Sequence, residues 1–306
     1  MMTSINPSRL LKMPLMELIR EADLIRKKYL RSDVELCSIV NAKSGLCPED
    51  CKFCAQAARH KTGVGIYPLK SVRQIITTAR KAKDNGAKRF GIVTSGNRLQ
   101  REELDVISNA LSRIKNEIKI KTCASLGALD KSQLEKLKDA GLSRYHHNIE
   151  TSPKFYPRVV STHSFEDRLA TIKNAKKTGL EVCSGGIIGM GESRRDRIDM
   201  ACILADLAVD SVPINILVPI KNTPLGGIKP LSCGEIMRTI GIFRIILRDK
   251  TIKVAAGRES ALQDFQAMAF MAGANGMLIG GYLTVKGRSV REDRALVKEI
   301  QRIWKE

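Results

Sequence analysis

Aromatic and acidic residues are scarce in this sequence of 306 residues. Phe, Trp and Tyr make up 4% of the chain, which is poor for the base stacking that single-stranded nucleic acids require. Asp and Glu number 32 against 52 Lys and Arg, giving a formal net charge of +20. These cations are spread through every predicted helix and form no basic tail, so we interpret them as a solvated surface and expect no nucleic-acid partner. An acidic electron-donor protein would suit such a surface.

Targeting and membrane-spanning segments are also lacking. Residues 1–33 mix charges among their leucines, with no apolar run before a cleavage site, and they predict an amphipathic helix. Residues 267–285 carry no charge and approach the ~20 residues of a membrane span, but they contain Asn275 and four glycines. We predict there the end of a helix, a turn and a buried strand. The expectation is a cytoplasmic protein with no membrane partner.

Cysteines are too sparse for a disulfide scaffold, with eight in the whole chain. Three of them are closely spaced, as Cys47-x3-Cys51-x2-Cys54. A structural zinc site needs four protein ligands, and no fourth Cys or His stands at knuckle distance. A cubane of four irons fits better, because three irons take thiolates and the fourth stays open. The motif resembles that of radical S-adenosylmethionine (SAM) enzymes; a zinc knuckle or buried, inert cysteines are the alternative.

Short β-branched runs alternate with amphipathic helices along the rest of the chain. We predict strands at 35–41, 89–94, 118–126, 144–150, 180–188, 211–218, 252–256 and 276–279. Eight strands alternating with helices are typical of a closed (β/α)8 TIM-type barrel, with a doubly wound open sheet as the alternative. No linker composition divides the chain. We therefore predict an N-terminal helical extension over 1–33 and one barrel domain over 34–306.

Cysteines and an arginine are predicted at the strands of this barrel. Active sites of such barrels lie at the C-terminal ends of the strands and in the following loops, and the cysteine triplet lies in the loop after the first strand. Cys123 and Cys183 lie within strands three and five, so they can point into the barrel. Arg258 ends strand seven. A lone Arg inside an apolar barrel is costly unless paired, and a thiolate-bound cluster would compensate it.

Glycines and polar residues end strands four to six. Alternation sends His146, Asn148 and Glu150 to one face, where they suit a polar ligand such as a ribose or a urea. Asn215 on strand six suits the same kind of ligand. After strand five, the chain carries a glycine-rich pattern that resembles the segment flanking the SAM adenine: Gly185-x-Ile187-x-Gly189-x-x-Glu192. Satisfied polar groups and a tight turn are the plainer interpretations.

Several motifs together resemble the biotin synthase family, from about residue 10 to 290. They are the triplet with Ala55-Gln56, Tyr145-His146-His147-Asn148-Ile149-Glu150-Thr151-Ser152-Pro153, Val182-Cys183-Ser184-Gly185-Gly186, Ser211-Val212-Pro213-Ile214-Asn215, Ala256-Gly257-Arg258-Glu259 and Met271-Ala272-Gly273-Ala274-Asn275. The triplet alone is specific only to the superfamily, whereas the set is highly specific.

The resemblance implies a reaction and its cofactors. A 4Fe–4S cluster held by the triplet would bind SAM at its open iron, and one electron from a donor such as flavodoxin or ferredoxin would cleave the SAM. The resulting radical would take hydrogen from dethiobiotin, and a second, auxiliary iron–sulfur cluster would donate the sulfur. The implied SAM and substrate contacts are Phe53, Asn148, Glu150, Gly185, Ile187, Gly189 and Asn215. The resemblance also implies a homodimer.

The auxiliary-cluster pattern is incomplete in this sequence. The resemblance implies three cysteines and an arginine, for which Cys123, Cys183 and Arg258 match, but Gly91 stands where the third cysteine is expected. Cys37 on the neighbouring first strand is an extra cysteine. Our hypothesis is that Cys37 replaces the missing ligand and that the cluster is a 2Fe–2S or a four-iron type; an ordinary buried cysteine is the alternative.

Two other functions compete with this interpretation. A related radical SAM barrel could act on a small metabolite without inserting sulfur, although Cys123, Cys183 and Arg258 argue against it. A basic RNA-binding protein with a zinc knuckle belongs to a different class. His146, where the resemblance implies Asn, leaves the substrate contact at that position open.

Overall fold

A closed barrel of parallel strands forms the core of the computed structural model, which describes residues 7–30, 32–283 and 287–306. The strands are β1 (Glu35–Lys43), β2 (Arg89–Thr94), β3 (Lys121–Ser125), β4 (Arg144–His146), β5 (Glu181–Cys183), β6 (Gly186–Ile188), β7 (Ser211–Ile216), β8 (Thr251–Val254) and β9 (Gly276–Leu278). Their order is β5-β4-β3-β2-β1-β9-β8-β7-β6, and pairing of β5 with β7 closes the ring. The predicted (β/α)8 TIM-type barrel is confirmed, and the open sheet is wrong.

Helices surround this barrel. They are α1 (Pro7–Lys12), α2 (Leu15–Tyr29), α3 (Val72–Asp84), α4 (Arg101–Arg113), α5 (Lys131–Asp139), α6 (Phe165–Lys177), α7 (Arg194–Asp206), α8 (Cys233–Leu247), α9 (Arg258–Leu262), α10 (Gln266–Met271) and α11 (Val290–Ile303). Capping boxes begin α3, α5, α6, α7 and α11. In each box, the N-cap side chain accepts from a backbone N–H that the helix leaves unpaired. These local signals set the alternation of helix and strand.

The predicted fifth strand consists of two strands, β5 and β6. Ser184 and Gly185 separate them, and a Cβ on Gly185 would lie 2.0 Å from the Pro213 carbonyl oxygen on β7. The chain therefore passes β7 more closely than any residue with a side chain allows. The predicted fourth strand is also too long, because β4 ends at His146. Glu150 has a φ of +67° and makes only an isolated bridge to Gly186.

The N-terminal helix α2 packs outside the barrel against α8. Leu18 and Ala22 are buried in this contact, and a Cβ on Gly241 of α8 would lie 3.1 Å from Leu18. At the far end of α2, the Arg26 guanidinium lies 3.8 Å from the centre of the Trp304 ring. Across the described ranges we find no helix long and apolar enough to cross a membrane. The structure describes residues 267–283 of the uncharged stretch. They contain the end of α10 and then β9, as predicted.

Candidate active site in the barrel

A cavity of about 440 Å³ opens at the C-terminal ends of the strands and runs into the barrel. Most of the residues that the sequence singled out line it: Cys37, Cys47, Cys51, Phe53, Cys54, Cys123, Asn148, Glu150, Cys183, Ile187 and Asn215. Gly185, Gly189 and Arg258 are not among its lining residues in the described part of the chain. The cavity therefore joins the loop cysteines and the strand cysteines in one space.

The cysteine triplet lies in a loop that its own backbone folds. The amide N–H of Cys47 donates to the Gln56 carbonyl at 3.0 Å, and the Ala58 N–H donates back to the Cys47 carbonyl at 2.8 Å. Within this frame, the Cys54 N–H donates to the Cys51 carbonyl at 2.9 Å. A turn of this kind directs all three thiols to one side of the loop, toward the cavity that they line.

The loop thiols fit a cluster better than a single metal ion. Burial raises the pKa of both Cys51 and Cys54 above the ordinary thiol value, so a bound metal is needed to hold them as thiolates. Over the described residues, no three His, Cys, Asp or Glu side chains lie close enough together to hold one metal ion. Three thiol side chains that line one cavity are the donor set of a cubane whose fourth iron stays open, whereas a structural zinc site needs a fourth protein ligand. All eight cysteines are free, which leaves these three available.

Polar groups from β4 and its following loop line the side of the cavity beside the triplet. The Asn148 side chain accepts from the Gly185 N–H at 3.1 Å and donates to Glu150 at 3.3 Å. The Glu150 carbonyl accepts from the Ile187 N–H at 2.9 Å. The left-handed backbone at Glu150 turns its carboxylate into the cavity while its carbonyl stays in the sheet. Hydrogen bonds between the loop after β4 and residues 185–187 thus hold Asn148 and Glu150 in place.

Arg168 on α6 is a cavity residue that the sequence did not single out. Its guanidinium donates to the Asn148 carbonyl at 3.0 Å and to the Tyr156 hydroxyl at 2.8 Å, and it lies 3.7 Å from Glu150. Burial alone would lower its pKa, but Glu150 and Tyr156 hold the pKa of Arg168 above its ordinary value. The sequence of α6 gave no signal that Arg168 faces the cavity.

The glycine-rich segment that contains β6 acts mainly through its backbone. The Glu192 carboxylate accepts from the Gly189 and Met190 N–H groups at 2.8 and 2.7 Å, and it pairs with Arg197 at 2.7 Å. Gly189 has a φ of +95°, which only glycine adopts without strain. Among the residues of this predicted segment, Ile187 reaches the cavity. Glu192 instead fixes the turn that carries the chain into α7.

Three cysteines lie deeper, on β1, β3 and β5. Gly91 on β2 faces Cys123 in register, and Cys37 lies two residues before Ile39, the β1 partner of Gly91. Successive side chains of a strand alternate between faces, so Cys37 and Ile39 share the barrel interior. A Cβ on Gly91 would lie 3.0 Å from the Ile39 side chain. The interior at Gly91 is therefore occupied, and the first-strand cysteine lies one layer deeper.

Charged residues surround these deeper cysteines. The Lys253 ammonium lies 3.1 Å from the Cys37 sulfur and 2.7 Å from Glu35, and Arg144 reaches Glu35 at 2.9 Å. Burial alone would raise the pKa of Cys183, but His146 and Lys253 lower it below the ordinary thiol value. Burial raises the pKa of both Cys37 and Cys123. The inward position of Lys253 was missed, although a single Lys within the apolar run Ile252-Lys253-Val254 indicates it.

The expectation for Arg258 is wrong in its placement. Gly257 has a φ of +84° and turns the chain out of the barrel, so Arg258 begins α9. The Arg258 guanidinium is buried against α11, where its Nη2 lies 2.8 Å from both carboxylate oxygens of Asp293. Glu259 lies 3.0 Å from the same nitrogen, and Gln266 accepts from Nη1. The compensating anion is thus a carboxylate outside the barrel, and Lys253 and Arg144 are the cations near the deeper cysteines.

The fold and the cysteine loop define a radical SAM protein. The family model described as "Radical SAM superfamily" matches residues 43–202, and the "Biotin and Thiamin Synthesis associated domain" matches residues 213–302. The biotin synthase of Thermotoga neapolitana is 55% identical over 89% of this chain and 98% of that protein, and the biotin synthase of Thermotoga petrophila is 50% identical over 97% and 98%. The chain belongs to the biotin synthase family.

Solved structures share the fold at low sequence identity. The methylornithine synthase PylB superposes with a TM-score of 0.82 over 97% of this chain and 91% of that one, at 20% identity. The FeFe-hydrogenase maturase HydG from Carboxydothermus hydrogenoformans superposes with a TM-score of 0.79 over 96% and 76%, at 18% identity. At these identities, the likeness concerns the barrel architecture.

Proposed function

We propose that this barrel catalyses sulfur insertion into dethiobiotin to give biotin, with SAM as the source of the radical. The observation that carries the proposal is the pair of cysteine sets in one cavity. The loop set lies at the mouth, and the set of Cys37, Cys123 and Cys183 lies deeper, beside Lys253. A radical SAM barrel that inserts no sulfur does not need the deeper set.

The loop cysteines Cys47, Cys51 and Cys54 would hold the 4Fe–4S cluster. When bound, this cluster would supply the electron and the open coordination site for the reductive cleavage of SAM. Cys51 is buried and Cys54 is half-buried against the core, so the loop shields these two side chains from much of the solvent. A dry, apolar pocket protects a radical from side reactions.

The β4 and β6 side of the cavity would bind the remainder of SAM. Asn148 and Glu150 present polar atoms for the ribose, and Phe53 and Ile187 supply apolar contacts. Arg168 provides a buried cation that can pair with the carboxylate of SAM. Gly185 and Gly189 act as positioning residues, since the Gly185 N–H orients Asn148 and the Gly189 turn follows β6.

Asn215 would contact the ureido group of dethiobiotin, together with Asn148. The Asn215 amide is held by both neighbouring strands, since it donates to the Gly186 carbonyl at 3.2 Å and accepts from the Ala256 N–H at 3.2 Å. Such crossed bonds fix the side-chain plane. One lone pair and one N–H of the amide stay open to a ligand, which matches the donor and acceptor of a urea.

The deeper set would hold the auxiliary cluster that supplies sulfur, either a 2Fe–2S or a four-iron type. We assign its ligands to Cys37, Cys123 and Cys183, with Lys253 beside Cys37. Arg258 is left out, because its guanidinium pairs with Asp293. Cys37→Ala should lower the auxiliary iron content and change its Mössbauer spectrum. Cys202→Ala on helix α7 is the matched control and should change neither. An unchanged auxiliary signal in Cys37→Ala would contradict the ligand assignment.

An anaerobic assay tests the function as a whole. Reconstituted protein should convert dethiobiotin to biotin with SAM and dithionite, and it should form about two 5′-deoxyadenosine molecules for each biotin because two C–H bonds are broken. Formation of 5′-deoxyadenosine without biotin would favour the radical SAM barrel that inserts no sulfur. A protein that holds zinc and no iron would exclude both.

We further propose an electron donor, a cellular location, an oligomeric state and a domain division for this protein. A low-potential donor such as flavodoxin or ferredoxin would deliver the electron, and the protein would act as a cytoplasmic homodimer. We also propose that residues 34–306 fold as one barrel unit, to which residues 1–33 add the extension. Light scattering of the reconstituted protein and truncation before Val34 test the last two points.

A further inference from the structure

Two large apolar side chains are exposed next to the cysteine loop. Leu46 is 68% exposed and directly precedes Cys47, and Ile66 is 61% exposed on the returning segment. The two segments are joined by an antiparallel bridge, in which Ser44 and Tyr67 exchange backbone hydrogen bonds of 3.1 and 3.2 Å. Single exposed apolar residues are normal on a protein surface, but here two lie on bridged segments next to a candidate redox centre.

The backbone holds this apolar pair outward. Leu46 has a φ of +52°, a region that bulky residues rarely adopt and that usually carries Gly or Asn. A Cβ on Gly45 would lie 2.7 Å from the Ile66 side chain, so Ile66 packs directly on the glycine backbone. The chain therefore keeps a strained leucine in water, with no burial in the described structure that would favour it.

Cations outnumber carboxylates around the pair. Three segments frame the loop, namely 51–70, 153–164 and 218–232, and together they contain eight Lys or Arg residues and no Asp or Glu. They are joined by contacts of Lys52 with Val159 and Leu225, and of Asn222 with Lys61. The whole chain has 32 acidic residues in 306, so several would be expected in segments of this combined length.

The nearby carboxylates of the loop itself are already engaged. Glu49 contacts His163 at 2.8 Å, and Asp50 accepts from the Ser161 and Thr162 N–H groups at 2.9 and 3.2 Å. By contrast, Lys52, Arg59 and Lys61 are exposed and form no ion pair with any residue in the described ranges. The eight cations of the three segments outnumber Glu49 and Asp50, so the net charge around the loop is positive.

We propose that this donor surface, defined by Leu46, Ile66, Lys52, Arg59 and Lys61, docks an acidic one-electron donor protein. The inference rests on the proposed function, which needs one electron for each SAM cleaved. Electron transfer slows steeply with distance, and Leu46 is covalently adjacent to a cluster ligand. A small apolar centre with a charged rim suits a transient redox complex, because the rim steers encounter and the centre gives contact without permanent binding.

The experiment compares two reductants on the same variants. Leu46→Asp/Ile66→Asp alters the centre, and Lys52→Glu/Arg59→Glu/Lys61→Glu alters the rim of the donor surface. Matched controls are Phe265→Asp, which is 58% exposed, and Lys298→Glu on α11, which is also exposed. Reconstituted holoenzyme receives either dithionite or flavodoxin hydroquinone, and 5′-deoxyadenosine formation is measured. Oxidised flavodoxin is also titrated against each variant, so that affinity is measured independently of activity.

Both variants of the donor surface should keep the dithionite-driven rate and lose about tenfold or more in flavodoxin affinity and in the flavodoxin-driven rate, which corresponds to about 1.4 kcal/mol. Added salt should weaken flavodoxin binding of the wild type and have much less effect on the rim variant. Equal losses in the control variants, unchanged flavodoxin affinity, or loss of a dimer in light scattering would overturn the proposal. The wild-type dithionite assay for biotin tests the proposed function by itself, because it contains no donor protein.

Discussion

Arg258 provides the sharpest test of the placement described above, because its two possible roles predict opposite phenotypes. As a neighbour of the auxiliary cluster, it would change the cluster's spectrum when substituted. As the buried partner of Asp293, it should change only stability. The side chains of Arg258 and Asp293 are 1% and 0% exposed, so water does little to replace either partner.

The expected loss of unfolding free energy depends on the buried charge that each variant leaves without its partner. Removing one member of a buried ion pair costs about 3–5 kcal/mol. In Asp293→Ala, Glu259 still lies 3.0 Å from the Arg258 Nη2 and offsets part of this cost. We therefore expect the unfolding free energy to fall by about 3 kcal/mol. In Arg258→Met, Asp293 can escape its unpaired charge by taking up a proton. Because pH 7 lies about three units above the ordinary pKa of an Asp carboxyl, this protonation costs about 4 kcal/mol. Both losses would be large fractions of the stability of a domain.

Urea unfolding followed by circular dichroism measures these losses, and iron analysis with Mössbauer spectroscopy reads the auxiliary cluster. Replacing both residues, as Arg258→Met/Asp293→Leu, should recover much of the loss because no lone charge remains buried. Arg302→Met, which removes an exposed pair with Glu299 on α11, is the control and should stay near wild type. The reasoning is refuted if Arg258→Met changes the auxiliary spectrum while its unfolding free energy stays within about 1 kcal/mol of wild type.

Three further predictions concern the loop, the split strand and the barrel floor. Cys51→Ala should lose about four irons per chain and all 5′-deoxyadenosine formation; retained cleavage of SAM, measured by chromatography, would contradict the ligand assignment. Gly185→Ala should lower the unfolding free energy by about 2 kcal/mol or more, because its Cβ would lie 2.0 Å from the Pro213 oxygen; Gly227→Ala, which meets nothing within 4 Å, should change little in the same urea titration. Burial alone would raise the pKa of Glu35, but Lys253 and Arg144 hold it below its ordinary value. Its stabilisation is therefore present above about pH 4.3 and lost as the pH falls through the lower folded-state pKa, so wild type should lose stability more steeply there than Glu35→Gln, and parallel pH profiles would refute this.

Sequence periodicity predicted the barrel because its signals are local. The three-four spacing of apolar residues, the capping serines and the glycines after helices act within one element, and Gly86, Gly141, Gly179 and Gly273 all have positive φ as expected of helix ends. The break between β5 and β6 was missed because its cause is a close approach to Pro213 on another strand. No pattern within residues 180–188 reports that distance.

The candidate site was predictable to the extent that strand alternation fixes direction. Cys123, Cys183 and Asn215 line the cavity that their strands were expected to face. Arg258 failed this reasoning because the strand ends at Val254 and Gly257 then turns the chain, so alternation no longer applied. Arg168 could not be found from its own helix, because its inward direction depends on contacts with Tyr156 and Asn148.

The charges at the barrel floor explain why Cys183 differs from the cysteines of the loop. Arg89, Arg144 and Lys253 meet the carboxylates Glu35 and Glu181, with Arg89 and Arg144 both 2.8 Å from the same Glu181 oxygen. Three cations against two carboxylates leave a positive excess, and a buried excess charge is costly unless an anion joins it. Cys183 is the group positioned to supply that anion, because burial is outweighed by His146 and Lys253, which hold its pKa below the ordinary thiol value. The floor therefore favours one thiolate, at Cys183, before any metal is bound. Burial raises the pKa of the other deep cysteines and of Cys51 and Cys54, so these rely on a metal to lose their protons.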